Sequence, residues 1–225
     1  MILDRIMKTR YLVENSGPVN IMAVADEEVP KLYDKHDRYR KDEYEGIDII
    51  LSCGDLSYHY LNYMADVAHC NVYNVFGNHD ERFPDDEPTG CIPIDGKFSV
   101  IKNIRILGLG GSMKYRNCIK HQYTEEEMAR KVKKLRKTID KHNGLDILVT
   151  HAPAFGINDG TDLCHTGFKV FNELIDEYSP KYFIHGHMHQ NYGKYTRITQ
   201  YKNTTIINAF QYYKFEYVFD EPEGL

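Results

Sequence analysis

Short apolar runs of strand length recur along the chain, at Val19–Ala25, Ile47–Ser52, Val72–Phe76, Ile104–Leu109, Leu145–Thr150 and Tyr182–Ile184. Most are unalternated and rich in β-branched residues, the pattern of strands buried on both faces. Helical spacing appears between them. Tyr60, Leu61, Met64, Val67 and Ala68 mark one face of a helix over residues 57–69. Phe168, Phe171, Leu174, Ile175 and Tyr178 mark another over residues 167–178, which stops before Pro180. The clearest helix spans residues 124–142: Thr124 and Glu127 make a capping box, Met128, Val132, Leu135 and Ile139 form one face, and Gly144 ends it.

The C-terminal part changes character. Residues 197–201, 204–210 and 215–219 read as strands, with a turn at Asn203. Residues 92–109 read as two or three more. The sum is an α/β chain whose strands form two packed sheets with helices outside. Without a repeat, a low-complexity tract or a Pro/Gly/Ser-rich linker, the whole of residues 1–225 is expected to be a single domain.

Composition narrows the function. The 42% apolar content excludes a disordered chain, and the absence of a long apolar run argues against a membrane span. The N-terminal stretch has no apolar core of signal-peptide length, so a cytoplasmic location is expected. A net charge of −5 does not suggest attraction to nucleic acid or anionic lipid. The basic cluster of residues 130–137 is read as a solvated helix face. The five cysteines, 53, 70, 91, 118 and 164, are widely spread and form no CxxC, so they indicate neither a disulfide framework nor a thiolate zinc site. Histidine is the unusual component: the chain has 11, concentrated in its second half.

Five predicted strands end alike. They run into Asp26-Glu27-Glu28, Gly54-Asp55, Gly77-Asn78-His79-Asp80, His151-Ala152-Pro153 and His185-Gly186-His187-Met188-His189. Ligands of open α/β sheets bind beyond the carboxyl ends of the strands, so these residues converge on one rim. A single Asp or His at a strand end is usually a turn former or cap. Five such ends offering carboxylate, amide and imidazole together are not explained by turns. The donor set suits Mn, Fe, Zn and similar divalent ions. It exceeds the needs of one tetrahedral zinc and fits two ions about 3.5–4 Å apart, an arrangement that serves phosphate-ester hydrolysis. In extended chain, alternation would put His187 and His189 on one side.

These motifs, in this order, resemble the calcineurin-like metallophosphoesterase family, whose pattern is Asp-x-His, Gly-Asp, Gly-Asn-His-Asp/Glu, a His, then Gly-His-x-His. The runs Gly108–Ser112 and Pro180–Gly193 are similar to its small bacterial-type phosphoesterase and phosphodiesterase members. The resemblance implies a four-layer αββα sandwich, two packed mixed β-sheets flanked by helices. It implies hydrolysis of phosphate mono- or diesters by a metal-bound hydroxide at a dinuclear centre holding Mn, Fe or Zn, with Mg also admissible. Asp55 would bridge the ions, Asp26 and His189 would bind the first, and Asn78, His151 and His187 the second. His79 would sit over the phosphate and protonate the leaving group, with Asn78 beside it. Asp80 would either orient His79 or cap a helix. The implied partner is a small phosphate ester rather than nucleic acid or a membrane. A nuclease on the same chemistry and a non-catalytic protein-interaction scaffold are the alternatives.

One position departs from the family pattern. Glu28 stands where the family has His. If residues 26–28 are extended, Asp26 and Glu28 point to the same side, and Glu28 either ligates a metal or contacts its bound water. His165, just before the helix at 167–178, is either a substrate-side histidine or part of the helix start. His185 is expected behind the site, and the polar loop with Lys114, Tyr115, Arg116 and His121 could carry substrate contacts, although solvated loop charge is the expected reading for each of them.

Overall fold

The computed structural model describes residues 17–33, 42–80, 90–116, 120–189 and 196–220. The strands are β1 (Val19–Ala25), β2 (Ile49–Ser52), β3 (Val72–Asn74), β4 (Cys91–Pro93), β5 (Lys97–Ile101), β6 (Ile104–Leu109), β7 (Ser112–Met113), β8 (Gln122–Tyr123), β9 (Ile147–Thr150), β10 (Tyr182–His185), β11 (Ile198–Tyr201), β12 (Thr204–Asn208) and β13 (Gln211–Tyr217). The helices are α1 (Tyr58–Ala68), α2 (Glu125–Lys141) and α3 (Lys169–Tyr178).

One sheet has the order β13-β1-β2-β3-β4 and the other β11-β12-β10-β9-β6-β5. Each is parallel at its centre and antiparallel toward an edge: β13 runs against β1, and β5 and β11 run against β6 and β12. The unalternated central strands follow from burial on both faces. Ile21, Ala23, Ile49 and Leu51 of the first sheet pack with Ile106, Ile147, Val149, Ile184 and Ile207 of the second. On its outer face, the first sheet packs Met22, Val24 and Ile50 with Tyr60, Leu61 and Met64 of α1. The second packs Leu107, Leu148, Phe183 and Ile206 with Met128 and Val132 of α2 and Phe171 and Leu174 of α3. The result is the expected helix–sheet–sheet–helix sandwich.

The helix boundaries follow local chemistry. Ser57 Oγ accepts from the Tyr60 amide and opens α1. The capping box of α2 forms as the sequence predicts, and the Gly144 amide donates to the Ile139 carbonyl at its end. Phe168 precedes α3 without a side-chain cap of its own. Instead, Glu125 in the first turn of α2 accepts from the amides of Lys169 and Val170, so one helix caps the next. The C-terminal strands differ from expectation. The second ends at Asn208, and β13 begins at Gln211, four residues before the predicted start.

Candidate metal centre

Strand pairing brings the candidate ends together before any side chain acts. β1 and β2 are parallel with Val24 opposite Ser52, and the Asp26 amide continues the ladder to the Gly54 carbonyl at 3.1 Å. In the second sheet, the His151 carbonyl accepts from the Gly186 amide at 3.0 Å. Two bonds then cross between the sheets. His151 Nδ1 lies 2.8 Å from the Cys53 carbonyl, and the His187 amide donates to both Asp26 carboxylate oxygens at 3.0 and 2.9 Å.

The centre of the cluster is Asp55, His151 and His187, whose potential ligand atoms lie within 4.8 Å of one another. His151 is fully buried. Its Nδ1 donates to the Cys53 carbonyl, which leaves the lone pair on Nε2. That Nε2 faces two acceptors, Asn78 Oδ1 at 3.0 Å and Asp55 Oδ2 at 3.4 Å. Three electron-rich atoms aimed at one point require a positive charge there, as a ring proton or a bound cation. The donors therefore fit a divalent ion. The same geometry explains the protonation behaviour. Burial opposes charging of His151, yet the adjacent Asp55 carboxylate raises its pKa to about 9. Burial would likewise raise Asp55, but His151 and the His79 amide hold it down at about 2. Burial and the neighbouring His151 lower His187 to about 3. A second, looser pair stands beside this cluster: His189 Nε2 lies 3.7 Å from Asp26 Oδ1, with the His189 ring stacked on Phe210.

The structure thus brings together Asp26, Asp55, Asn78, His151, His187 and His189. His79 is exposed at the end of the first sheet, and its amide donates to Asp55 Oδ1 at 2.8 Å. Asp80 has a task that its position in the sequence does not show. Its Oδ2 accepts from the amides of Gly77 at 2.7 Å and Asp55 at 3.1 Å, which clamps the two loops of the first sheet together. Burial, then the Asp55 carboxylate, raises its pKa to about 7. Asp80→Ala should leave two enclosed donors without this acceptor and cost about 1–3 kcal/mol for each. Asp80→Asn, which keeps an oxygen there, should lose less, a difference readable in the urea midpoints of the two variants.

Glu28 is not among the described residues whose potential ligand atoms lie within 4.8 Å of one another. Asp26 adopts a left-handed backbone, φ 67°, and β1 gives way to a bend at residues 26 and 27. Alternation ends there, and Glu28 is exposed, with Tyr60 in its neighbourhood. His187 is also left-handed, φ 66°, so the His187–His189 pair does not arise by alternation either. Each imidazole approaches a different carboxylate. His165 lies on the loop before α3 with its ring 5.0 Å from that of His187, and its Nδ1 is held by Asp162. His185 is fully buried behind the site, and burial lowers its pKa to about 4.

Two neighbours went unrecognised or underweighted in the sequence. The Tyr115 hydroxyl lies 3.4 Å from Asn78 Nδ2 and interacts with the Cys164 thiol, placing this loop against the centre. Cys164 itself accepts from His187 Nε2 through its carbonyl at 2.9 Å. Its only sequence signal was adjacency to His165.

The sequence profile of the calcineurin-like phosphoesterase family matches residues 25–191, and the chain belongs to that family. The uncharacterized protein MJ1162 of Methanocaldococcus jannaschii is 28% identical over 174 residues, covering 72% of this chain and 76% of the relative. Among solved structures, TT1561 of Thermus thermophilus is similar with a TM-score of 0.58 and 14% identity, covering 87% of this chain and 90% of that one. The phosphopantetheinyl hydrolase PptH of Mycobacterium tuberculosis is similar with a TM-score of 0.54, 14% identity and the same coverages. At these identities the two structural likenesses establish the fold. The family uses divalent metal ions, in keeping with the ligand cluster. Among the described residues, no helix is long and apolar enough to cross a membrane.

Proposed function

We propose that this chain is a metal-dependent phosphoesterase that hydrolyses small phosphate mono- or diesters at a centre of two divalent ions. The observation that carries this reading is the convergence of Asp55, Asn78 and His151 on one point, with a demand for positive charge there. Asn78, His151 and His187 would hold one ion, Asp26 and His189 the other, and Asp55 would lie between them. When bound, the ions supply Lewis acidity toward phosphoryl oxygens and lower the pKa of water.

The chain's own residues supply the rest. The Cys53 carbonyl keeps His151 in the tautomer whose Nε2 carries a lone pair. Asp80 fixes the loops that present Asp55 and Asn78. The exposed His79 imidazole stands outside the buried cluster and donates a proton to the leaving oxygen. The Tyr115 hydroxyl, anchored beside Asn78, lines the same approach. Glu28, exposed beyond the bend, is given no ligand role.

The test is metal analysis of the purified protein, followed by hydrolysis of a nitrophenyl phosphate monoester and diester with Mn, Fe, Co, Ni, Zn and Mg. Turnover with at least one ion, lost on chelation and restored on reloading, is expected. No turnover with any of them would favour the non-catalytic scaffold.

A further inference from the structure

Beside the centre lies a second group of potential ligands with different chemistry. Cys164, His165 and His187 place a thiol sulfur and two imidazole nitrogens within 4.8 Å of one another. Sequence spacing does not reveal it, because His187 reaches the loop through space across 23 residues.

The loop that presents this group is built around Asp162. Its Oδ1 accepts from the amides of Cys164 at 3.1 Å and His165 at 3.2 Å, and its main-chain carbonyl accepts from the Thr166 hydroxyl at 2.7 Å. The Gly160 amide closes the turn on the His165 carbonyl at 2.9 Å. A side chain at Gly160 would collide with His165 Cβ, 2.6 Å from where its own Cβ would stand. Asp162 also holds His165 Nδ1 at 2.8–2.9 Å. That bond places the His165 lone pair on Nε2, the carboxylate–histidine pairing that supports metal-ligating imidazoles. Cys164 Sγ lies 3.9 Å from His187 Nε2. Zinc bonds of about 2.3 Å to sulfur and 2.0–2.1 Å to nitrogen at a tetrahedral angle separate the two atoms by about 3.5–3.6 Å. A small movement of the half-buried Cys164 side chain makes up the difference.

We propose that Cys164, His165 and His187 form a separate zinc site, and that filling it withdraws His187 from the cluster with Asp55 and His151. Sulfur with two imidazoles selects zinc, whereas carboxylate, amide and imidazole also accept harder ions such as Mn. Three protein ligands leave the fourth tetrahedral position to water. Binding displaces the thiol proton to solvent. The coupling follows from the shared residue. A neutral imidazole has one lone pair, so His187 serves one ion at a time. In the structure its Nε2–H is placed to donate to the Cys164 carbonyl, which puts the lone pair on Nδ1. Zinc at Cys164 requires the other tautomer. The chain would therefore sense excess zinc by losing a ligand at its principal centre.

Cobalt(II) tests the site directly, since a cobalt–thiolate bond has a charge-transfer absorption that oxygen and nitrogen ligands lack. Protein stripped with chelator and titrated with cobalt should develop this band. Cys164→Ser should lack it, and His165→Ala should require at least about tenfold more cobalt. Absence of the band in the parent, or its persistence in Cys164→Ser, overturns the site. His165→Ala decides the matter should the serine variant fold poorly, because an unchanged cobalt affinity there is equally fatal. The coupling is read on Mn-loaded protein by the electron paramagnetic resonance of Mn released into water as zinc is added. Release from the parent should need at least about tenfold less zinc than release from Cys164→Ser; equal zinc dependence overturns the coupling. Neither readout requires turnover, so failure of the phosphoesterase reading would leave this test intact.

Discussion

Replacing His79 with alanine should lower turnover by about 10²–10⁴-fold while leaving metal content unchanged. That span corresponds to about 3–5 kcal/mol of barrier. The side chain is exposed, so removing it opens no cavity. The contact His79 makes with the cluster runs through its amide to Asp55, and alanine keeps that amide. Loss of rate without loss of metal therefore assigns the imidazole to the chemistry. The leaving group separates two roles. If His79 protonates the departing oxygen, a nitrophenyl ester, which leaves without a proton, should lose much less than an alkyl ester. Equal losses would assign His79 to phosphate binding, and undiminished turnover of both would remove it from the mechanism.

Gly77→Ala should weaken metal binding at least about 10–100-fold, although position 77 supplies no ligand atom. A Cβ there would overlap Asp55 Oδ1 and stand 2.5 Å from Asp55 Cγ. The Gly77 amide is bound to Asp80, whose Oδ2 also holds the Asp55 amide, so neither loop can retreat without breaking the clamp. Gly54 leaves no slack on the other side, since its own Cβ would lie 2.7 Å from Gly77 Cα. Overpacking of this kind costs typically about 1–3 kcal/mol in addition. Gly17→Ala is the matched control, for nothing lies within 4 Å of a Cβ at that position. Metal affinity in Gly77→Ala equal to that of the control would mean that the Asp55 carboxylate does not take part in the centre.

The strand-end rule made most of this site legible in the sequence. Asp55, Asn78, His151 and His187 are separated by up to 132 residues, 187 minus 55, yet parallel pairing within each sheet and the packing of the two sheets together deliver them to one rim. Central strands were legible because burial on both faces leaves uninterrupted apolar runs. The edge strand β13 was legible only from Phe215 onward, since its half-exposed face bears Lys214 and Glu216. Beyond the strand ends, periodicity stopped being a guide. Asp26, Asp55 and His187 turn into left-handed backbone with φ 67°, 59° and 66°, and reasoning from alternation about Glu28 and about His187 with His189 lost its basis. Cys164 escaped for another reason. Its role depends on the His187 ring that follows β10, and no local pattern encodes that encounter.

Those three left-handed residues carry an energetic consequence. A residue with a Cβ in that conformation costs roughly 1–2 kcal/mol, less for aspartate, and glycine would not bear the cost. Glycine at 26, 55 or 187 would thus relax the backbone and delete a candidate ligand in one step. At 26 and 55 glycine would also leave the His187 or His79 amide without its carboxylate acceptor, so the backbone strain of this rim is offset by bonds that the same side chains make.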